Sequence, residues 1–161
     1  MSADEIKALL QLQPHPKEGG WYRRTYTSDV SVALLRGVRP YGTAIYYLLE
    51  EGTFDEMHMI ASDEVFHFYL GDPVEMLLLY PSGQSVLLTL GQDLAAGQRP
   101  QIHVPAGVWQ GERMVEGGKL ALFGCTVTPG FDFADYRSGN YAELAAGWPQ
   151  EAARIRKLTK A

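Results

Sequence analysis

Short runs of apolar and β-branched residues, each closed by a turn-forming group, dominate the chain from Thr43 onward. They are Thr43–Leu49, Glu64–Leu70, Val74–Tyr80, Val86–Leu90, Gln101–Val104 and Lys119–Val127. The groups that close them are rich in glycine and proline, as in Gly71-Asp72-Pro73. Strands that recur about every ten residues, with no helical periodicity between them, are typical of antiparallel sandwiches and barrels. A parallel sheet would need a crossover of about a dozen residues at each step, and the spacing leaves no room for one.

The N-terminal part of the chain predicts one helix and one further strand. Ser2 and Glu5 have the spacing of a capping box, and an apolar stripe starts at Ile6, so a short helix should end near Gln11. After Gly19-Gly20 the aromatic and β-branched run Trp21–Thr27 predicts a strand.

The C-terminal tail returns to a helical pattern from Tyr141. Pro149 suits the first turn of a helix. The apolar residues that would share one face of this C-terminal helix are Ala152, Ile155 and Leu158. Because no linker, repeat or low-complexity tract interrupts the chain, we expect a single domain, 1–161, with the barrel core at about 19–135.

Composition narrows the function classes. The chain has 161 residues, of which 46% are hydrophobic and 20% charged, and its net charge is -5. This charge disfavours nonspecific nucleic-acid binding, and no apolar run approaches the roughly 18 residues of a membrane span, so neither partner is expected. Cys125 is the only cysteine, which excludes a thiolate-rich zinc site and favours a reducing, cytoplasmic location. The first residues do not have the pattern of a secretory signal.

Two short motifs carry a family resemblance. Glu64, followed by six residues and Gly71, resembles the second half of the first cupin motif, in which a His-x-His pair precedes the glutamate. Pro105, Gly107 and Gln110 are spaced like the second motif, Pro-x-Gly-x-x-His, with glutamine in the place of its histidine. This resemblance implies an all-β fold, the double-stranded β-helix or jelly-roll cupin barrel, here with a short N-terminal helix and a C-terminal helix.

A more particular resemblance, to the cupin-5 branch, covers roughly residues 6 to 137. It is carried by segments such as Thr43–Leu49, Asp63–Pro73, Val104–Gly111 and Gly124–Tyr136. That branch is a domain of unknown function, so the resemblance implies a fold without implying a reaction.

The motif alignment also implies a set of interior residues. His58 takes the place of the second motif histidine and Glu56 that of the first, so Glu56, His58, Glu64 and Gln110 would form the metal set. One imidazole with carboxylates and an amide is a poor site for zinc, iron or nickel, although hard oxygen ligands suit manganese or magnesium. We therefore expect no cofactor, and a divalent metal remains an alternative.

Several neighbouring residues are candidate ligand contacts. Trp109 and Gln110 would project toward the barrel mouth, where an indole and an amide suit a flat polar organic ligand; Trp109 could equally be core packing. Tyr46, Arg23 and Arg24 could line the same mouth, and an arginine would be a partner for a phosphate or carboxylate.

Alternation along a strand bears on His67. Side chains of a strand point to opposite faces in turn, so His67 points away from Glu64 unless a bulge intervenes. His67 is then either a half-exposed strand histidine or a ligand-binding residue of the pocket.

Three functions fit these residues. The first is a metal-independent isomerase or epimerase, by analogy with jelly-roll sugar-nucleotide epimerases, with His58 as the general base oriented by the carboxylate of Glu64 or Glu56. The second is a noncatalytic module that binds or senses a small polar molecule. The third is a metal-dependent, dioxygenase-like cupin. The family resemblance implies a homodimer in each case, because cupins of this size usually pair through sheet edges. The aromatic strand Trp21 to Tyr26 suits that role, since an uncovered edge invites pairing.

Overall fold

The computed structural model describes residues 1–160 and consists of two antiparallel sheets that close into a barrel. Its strands are β1 (Gln13–Pro14), β2 (Trp21–Thr27), β3 (Ser31–Leu34), β4 (Gly37–Pro40), β5 (Thr43–Glu50), β6 (Phe54–Ile60), β7 (Asp63–Gly71), β8 (Val74–Leu79), β9 (Ser85–Leu90), β10 (Gln101–Val104), β11 (Trp109–Met114), β12 (Leu120–Thr128) and β13 (Tyr136–Ser138). Its helices are α1 (Ala3–Leu10), α2 (Tyr141–Gly147) and α3 (Ala152–Lys157), with short 3₁₀ turns at Phe133–Asp135 and Pro149–Glu151. No helix within residues 1–160 is long and apolar enough to cross a membrane.

The two sheets have the strand orders β1-β2-β5-β12-β7-β10 and β13-β6-β11-β8-β9. The strands of both sheets pair antiparallel, and β3 and β4 form a separate hairpin. This confirms the jelly-roll barrel expected from the strand spacing and the motifs. Neighbours in each sheet are mostly distant in sequence, which is what brings β6, β7 and β11 together around one interior.

Three apolar clusters stabilise the barrel. One fills part of the interior, with Tyr47, Phe66 and Phe123 fully buried between the sheets. A second packs α2 and α3 against the outer face of the five-stranded sheet, and the third packs α1 against the other sheet at Ile6. Because both outer faces are partly covered, outward-facing side chains can be as buried as interior ones.

The helices predicted near the N-terminus and near the C-terminus are both present. Ser2 and Glu5 form the expected capping box, and Gln11 ends α1 in the left-handed conformation with φ 53°. The C-terminal part consists of two helices, α2 and α3, because Pro149 has no backbone N–H to continue α2 and disfavours a helical Trp148.

The segment that follows β12 is fixed by the buried side chain of Asp135. The Asp135 side chain is only 6% exposed and accepts two hydrogen bonds of 2.8 Å from Arg39, with Arg36 3.3 Å away. The bonds from Arg39 hold the pKa of Asp135 below its ordinary value. This ion pair ties the β3–β4 hairpin to the segment that carries Phe131 and Phe133.

Candidate functional site

A cavity of about 440 Å³ lies between the two sheets, beside the apolar cluster of the interior. Buried polar groups form its inner end: Glu18, Asp55, His58, Glu64 and Cys125. Its more exposed end is lined by aromatic rings and polar side chains, among them Tyr22, Arg24, Phe131, Asp132 and Phe133. Buried titratable groups in a cavity of this size are typical of a ligand or catalytic site.

A bulge in β6 determines which of its residues face the cavity. Gln110 of β11 pairs with His58, and Glu112 pairs with Asp55, so three steps along β6 oppose two along β11. The extra residue places Asp55 and His58 on the same face. The Glu56 carboxylate lies elsewhere: it accepts hydrogen bonds of 2.7 Å from the hydroxyls of Tyr136 and Ser138.

Donors around Glu56 also determine its charge. Burial acts to raise the pKa of Glu56, but hydrogen bonds from Ser138, Tyr136 and Lys160 together lower it below its ordinary value. Lys160 lies 3.2 Å from Oε2. Glu56 is therefore an ionised, fully partnered carboxylate outside the cavity lining.

The imidazole of His58 is fixed in one tautomer. Nδ1 lies 2.7 Å from the backbone carbonyl of Glu56, which can only accept, so Nδ1 carries the hydrogen and Nε2 has a free lone pair. Asp55 Oδ1 lies 3.3 Å from the same Nδ1, and the ring stacks on Tyr136 at 5.2 Å between centroids. The backbone carbonyl of Glu56 thus holds this ring, in place of the expected side-chain carboxylate of Glu64 or Glu56. Burial lowers the pKa of His58 to about 4, so the ring is neutral at pH 7.

Glu64 is an interior carboxyl whose pKa lies close to neutral pH. Burial raises its pKa to about 7, while hydrogen bonds from Gln110 and Cys125 act in the opposite direction. Gln110 Nε2 donates to Glu64 Oε2 at 2.6 Å. A carboxyl held in this way can exist in either protonation state near pH 7, as a general acid or base requires.

The connection between β1 and β2 supplies two more groups, His15 and Glu18. His15 Nδ1 accepts hydrogen bonds from the backbone N–H groups of Glu18 and Lys17, so its hydrogen is on Nε2, 3.4 Å from Glu18 Oε2. Burial lowers the pKa of His15 to about 4 and raises that of Glu18 well above its ordinary value. Glu18 Oε1 is 3.9 Å from His58 Nε2.

Behind the cavity, Asp55 and Glu112 form a buried carboxyl pair. Both are at most 2% exposed, and burial raises the pKa of each well above its ordinary value. Within residues 1–160, neither oxygen of Glu112 has a hydrogen-bond partner, and burial beside other acids favours the protonated, neutral form of both carboxyls.

Five residues predicted as ligand contacts lie outside the cavity lining, and one of them, Gln110, is fully buried and donates to Glu64. Trp109 is buried in the apolar cluster beneath α2 and α3. Arg23 lies over the Tyr46 ring on the outer face of the other sheet, with 5.9 Å from guanidinium to centroid. His67, also outward, is 3.0 Å from Thr126 Oγ1. Strand alternation explains this placement, since Tyr22 and Arg24 take the inward positions of β2.

The four residues expected as a metal set do not form one group of donors, although Glu64 and Gln110 contact each other. The Glu56 carboxylate faces Tyr136 and Ser138, and Gln110 directs its amide N–H toward Glu64. A different group, Glu18, Asp55 and His58, offers one potential ligand atom from each residue within 4.8 Å of one another, and it could hold a metal ion.

Gly19 positions Glu18, and its replacement by Ala should disturb the cavity. Its φ is +104°, and a Cβ there would lie 2.3 Å from the carbonyl oxygen of Phe54. We expect Gly19→Ala to lower the free energy of unfolding by more than a strained φ alone, which costs about 1–3 kcal/mol. Gly83→Ala is the matched control, because Gly83 has φ +87° but nothing within 4 Å of its Cβ position. Equal losses in chemical denaturation would contradict the close approach.

The facing antiparallel sheets, with polar residues gathered inside them, define a protein of the cupin fold. The chain belongs to the family described as "Cupin superfamily (DUF985)", whose model matches residues 4–138. This confirms the resemblance to the cupin-5 branch.

Three relatives match most of the chain. A crystal structure of a protein from Shewanella oneidensis is 36% identical, with TM-score 0.90, and the match covers 99% of this chain and 98% of that one. A hypothetical protein from Leishmania major is 28% identical over both full chains, with TM-score 0.92. An uncharacterised protein from Saccharomyces cerevisiae is 29% identical over 78% of this chain and 69% of its own length.

Oxalate decarboxylase from Bacillus subtilis shares the fold alone. It is 16% identical, with TM-score 0.57, over 92% of this chain and 37% of the decarboxylase. The family and its relatives are of unknown function, so the chemistry has to be argued from the cavity itself.

Proposed function

We propose that the protein binds a small polar organic molecule in the cavity and catalyses a proton transfer on it, in a reaction of the isomerase or epimerase type. One observation carries this proposal: Glu64 and His58, whose Nε2 has a free lone pair, line one cavity of about 440 Å³. A general acid–base reaction needs a titratable group near neutral pH beside a bound substrate, and Glu64 meets that requirement.

The two residues take different parts in the proposed step. The Glu64 carboxylate removes a proton from a carbon next to a carbonyl group, and the resulting carboxylic acid returns it to the same or a neighbouring atom. His58 Nε2 accepts a hydrogen bond from the substrate and holds it in position, because its Nδ1–H is already bonded to the Glu56 carbonyl. Glu64 is the stronger base of the two, since its pKa is about 7 and that of His58 about 4.

Exchange with heavy water tests this function while the substrate is still unidentified. The purified protein is incubated in D2O with a panel of small hydroxyketones, keto sugars, amino ketones and keto acids, and deuterium uptake is followed by mass spectrometry. We expect at least one compound to exchange a C–H proton catalytically. If compounds bind in the cavity and none exchanges, a noncatalytic binding or sensor module is the better explanation.

A metal-dependent cupin is the second candidate function, and one observation favours it. The grouping of Glu18, Asp55 and His58 supplies two carboxylates and one imidazole. Oxalate decarboxylase, which shares the fold, has Mn(II) centres, and an oxygen-rich donor set suits the same class of ion. Elemental analysis of the purified protein, with stoichiometric manganese or another divalent metal as the result, would favour this candidate over the first.

We also propose a homodimer that pairs through β2. The short strand β1 covers only Trp21 and Tyr22, so most of the β2 edge stays open, and the adjoining Tyr26 is 55% exposed. Light scattering should give twice the 17.9 kDa of one chain. Tyr26→Lys should shift the mass toward the monomer, and a monomeric unmodified chain would refute the proposal.

A further inference from the structure

In the part of the chain that the structure describes, the inner end of the cavity contains several acids and no permanently charged base. Glu18, Asp55 and Glu64 line it, and Glu112 lies directly behind Asp55. Among the described residues that line the cavity, Arg24 alone has a permanent positive charge, and it is exposed and bonded to the carbonyl of Phe131. Asp55 Oδ1 is buried and has no hydrogen-bond partner. A buried carboxyl oxygen without a partner is costly, so a ligand that supplies positive charge and donors would stabilise this arrangement.

We propose that the inner end of the cavity is a subsite for a primary ammonium group, and that the ligand of this protein is a small amine. This inference deepens the proposed function and rests on the cavity being its substrate site. The acceptors are Glu18, Asp55 and His58 Nε2.

The number of acceptors matches the number of ammonium donors. An ammonium group has three N–H donors and no acceptor. Glu18 and Asp55 each provide carboxyl oxygens, and the fixed tautomer of His58 leaves a lone pair on Nε2. Transfer of protons from the two acids to solvent would leave two carboxylates facing one ammonium.

The spacing of Glu18 and His58 leaves room for an ammonium group. Three acceptors at about 2.9 Å from a tetrahedral nitrogen stand about 4.7 Å apart. Ligands at about 2.1 Å from a magnesium or zinc ion stand only about 3.0–3.4 Å apart. Glu18 Oε1 and His58 Nε2 are 3.9 Å apart, which is wider than the metal geometry and narrower than the ammonium geometry. The two kinds of cation are therefore separated by experiment.

Aromatic rings complete the environment for a cationic ligand. Tyr22, Phe131 and Phe133 line the more exposed end, and ring faces attract ammonium groups. The ammonium of Lys17 already lies 5.2 Å from the centroid of Phe133. An amine with a flat body could therefore place its charge at the acids and its body against these rings.

Three probes of the same shape and different charge test the subsite: benzylammonium, benzyl alcohol and benzoate. Their binding to the full chain at pH 7 is measured by calorimetry or by ligand-observed NMR. We expect benzylammonium to bind at least about tenfold more tightly than benzyl alcohol, since a hydrogen bond to a charged group contributes about one order of magnitude, and benzoate to bind least. Equal affinities for the amine and the alcohol would overturn the proposal.

Conservative substitutions of the two acids test whether benzylammonium binds at the inner end of the cavity. Glu18→Gln and Asp55→Asn should each weaken benzylammonium about tenfold and leave benzyl alcohol unchanged. Glu143→Gln is the matched control, because its side chain is 56% exposed and outside the cavity. If Asp55→Asn fails to fold, the three probes and Glu18→Gln still decide the question. The subsite would be refuted if Glu143→Gln lost benzylammonium binding. It would also be refuted if both cavity variants bound benzylammonium as tightly as the unmodified chain.

Titration with Mn²⁺, alone and in the presence of benzylammonium, shows whether the site binds a metal ion or an ammonium group. Stoichiometric Mn²⁺ that displaces benzylammonium and is lost in Glu18→Gln would make this a metal site and overturn the proposal. Weak Mn²⁺ binding that leaves the amine in place supports it. Because no turnover is measured, charge-selective amine binding without deuterium exchange would refute the proposed reaction while leaving the amine subsite standing.

Discussion

Glu64→Gln should abolish the proposed proton transfer and also change how stability depends on pH. A positioned general acid or base typically contributes 10²–10⁴-fold, so deuterium exchange of any active compound should fall by about that factor. The folded pKa of Glu64 is about 7 against an ordinary 4.5, so the folded chain binds the extra proton between these values. Its contribution is present at low pH and is lost as pH rises through 7, by about 3 kcal/mol.

Urea denaturation at about pH 4 and pH 8 measures this effect as a difference between the two proteins. Between pH 4 and pH 8 the free energy of unfolding of Glu64→Gln should rise by about 3 kcal/mol relative to that of the unmodified chain, because the amide does not ionise. The other buried acids are present in both proteins, so their contributions to the pH dependence of stability largely cancel in the difference. Glu143→Gln, on an exposed helical position, should show no such gain. If the stability of Glu64→Gln and that of the unmodified chain changed equally between the two pH values, Glu64 would titrate at its ordinary pKa.

The parts of the molecule that follow local rules could be predicted from sequence. Period-2 strands closed by glycine and proline indicated the barrel. The spacing from Glu64 to Gly71 and the sequence Pro105-Ala-Gly107 indicated which strands meet around its interior, because a motif encodes a hairpin and a turn at fixed positions. The face taken by His67 followed from alternation as well, since β7 is regular from Glu64 to His67.

The face of β6 could not be predicted, because a bulge changes the alternation on which such a prediction depends. Counting by twos from His58 brings Glu56 into the cavity and leaves Asp55 outside. The extra residue opposite Gln110 and Glu112 reverses this assignment. Nothing in the sequence Phe-Asp-Glu-Met-His-Met-Ile marks where the bulge falls, since it depends on pairing with a strand about fifty residues away.

His15 and Glu18 were also missed, since they lie in a connection without regular periodicity. Their position depends on long-range contacts: the Glu18 carbonyl accepts from the backbone N–H of Glu56, and Tyr47 donates to the Gly19 carbonyl. Gly19-Gly20 was the available signal, because two glycines with positive φ allow the chain to approach the barrel wall closely. The two glycines indicate that the segment can adopt unusual backbone conformations, but they do not indicate which part of the barrel it packs against.

Trp109 remained ambiguous between ligand contact and core packing, and its variants separate the two roles. The indole is 7% exposed and packs with Met57, Leu144 and Leu158 between the five-stranded sheet and the C-terminal helices. Trp109→Ala should therefore lower the free energy of unfolding by about 3–5 kcal/mol, as truncation of a buried aromatic residue usually does. Tyr26→Ala, at a 55% exposed position, should cost about 0.5 kcal/mol or less.

Trp109→Phe completes this prediction, because it keeps an aromatic ring in the apolar cluster and removes the indole. It should recover most of the stability that Trp109→Ala loses, and its affinity for benzylammonium should equal that of the unmodified chain. The reason is geometric: the indole lies among residues that contact α2 and α3, whereas the acids that would bind the amine lie on the inner side of the sheet. A stable Trp109→Phe that no longer binds the amine would show that the indole reaches the cavity and would return Trp109 to the ligand site.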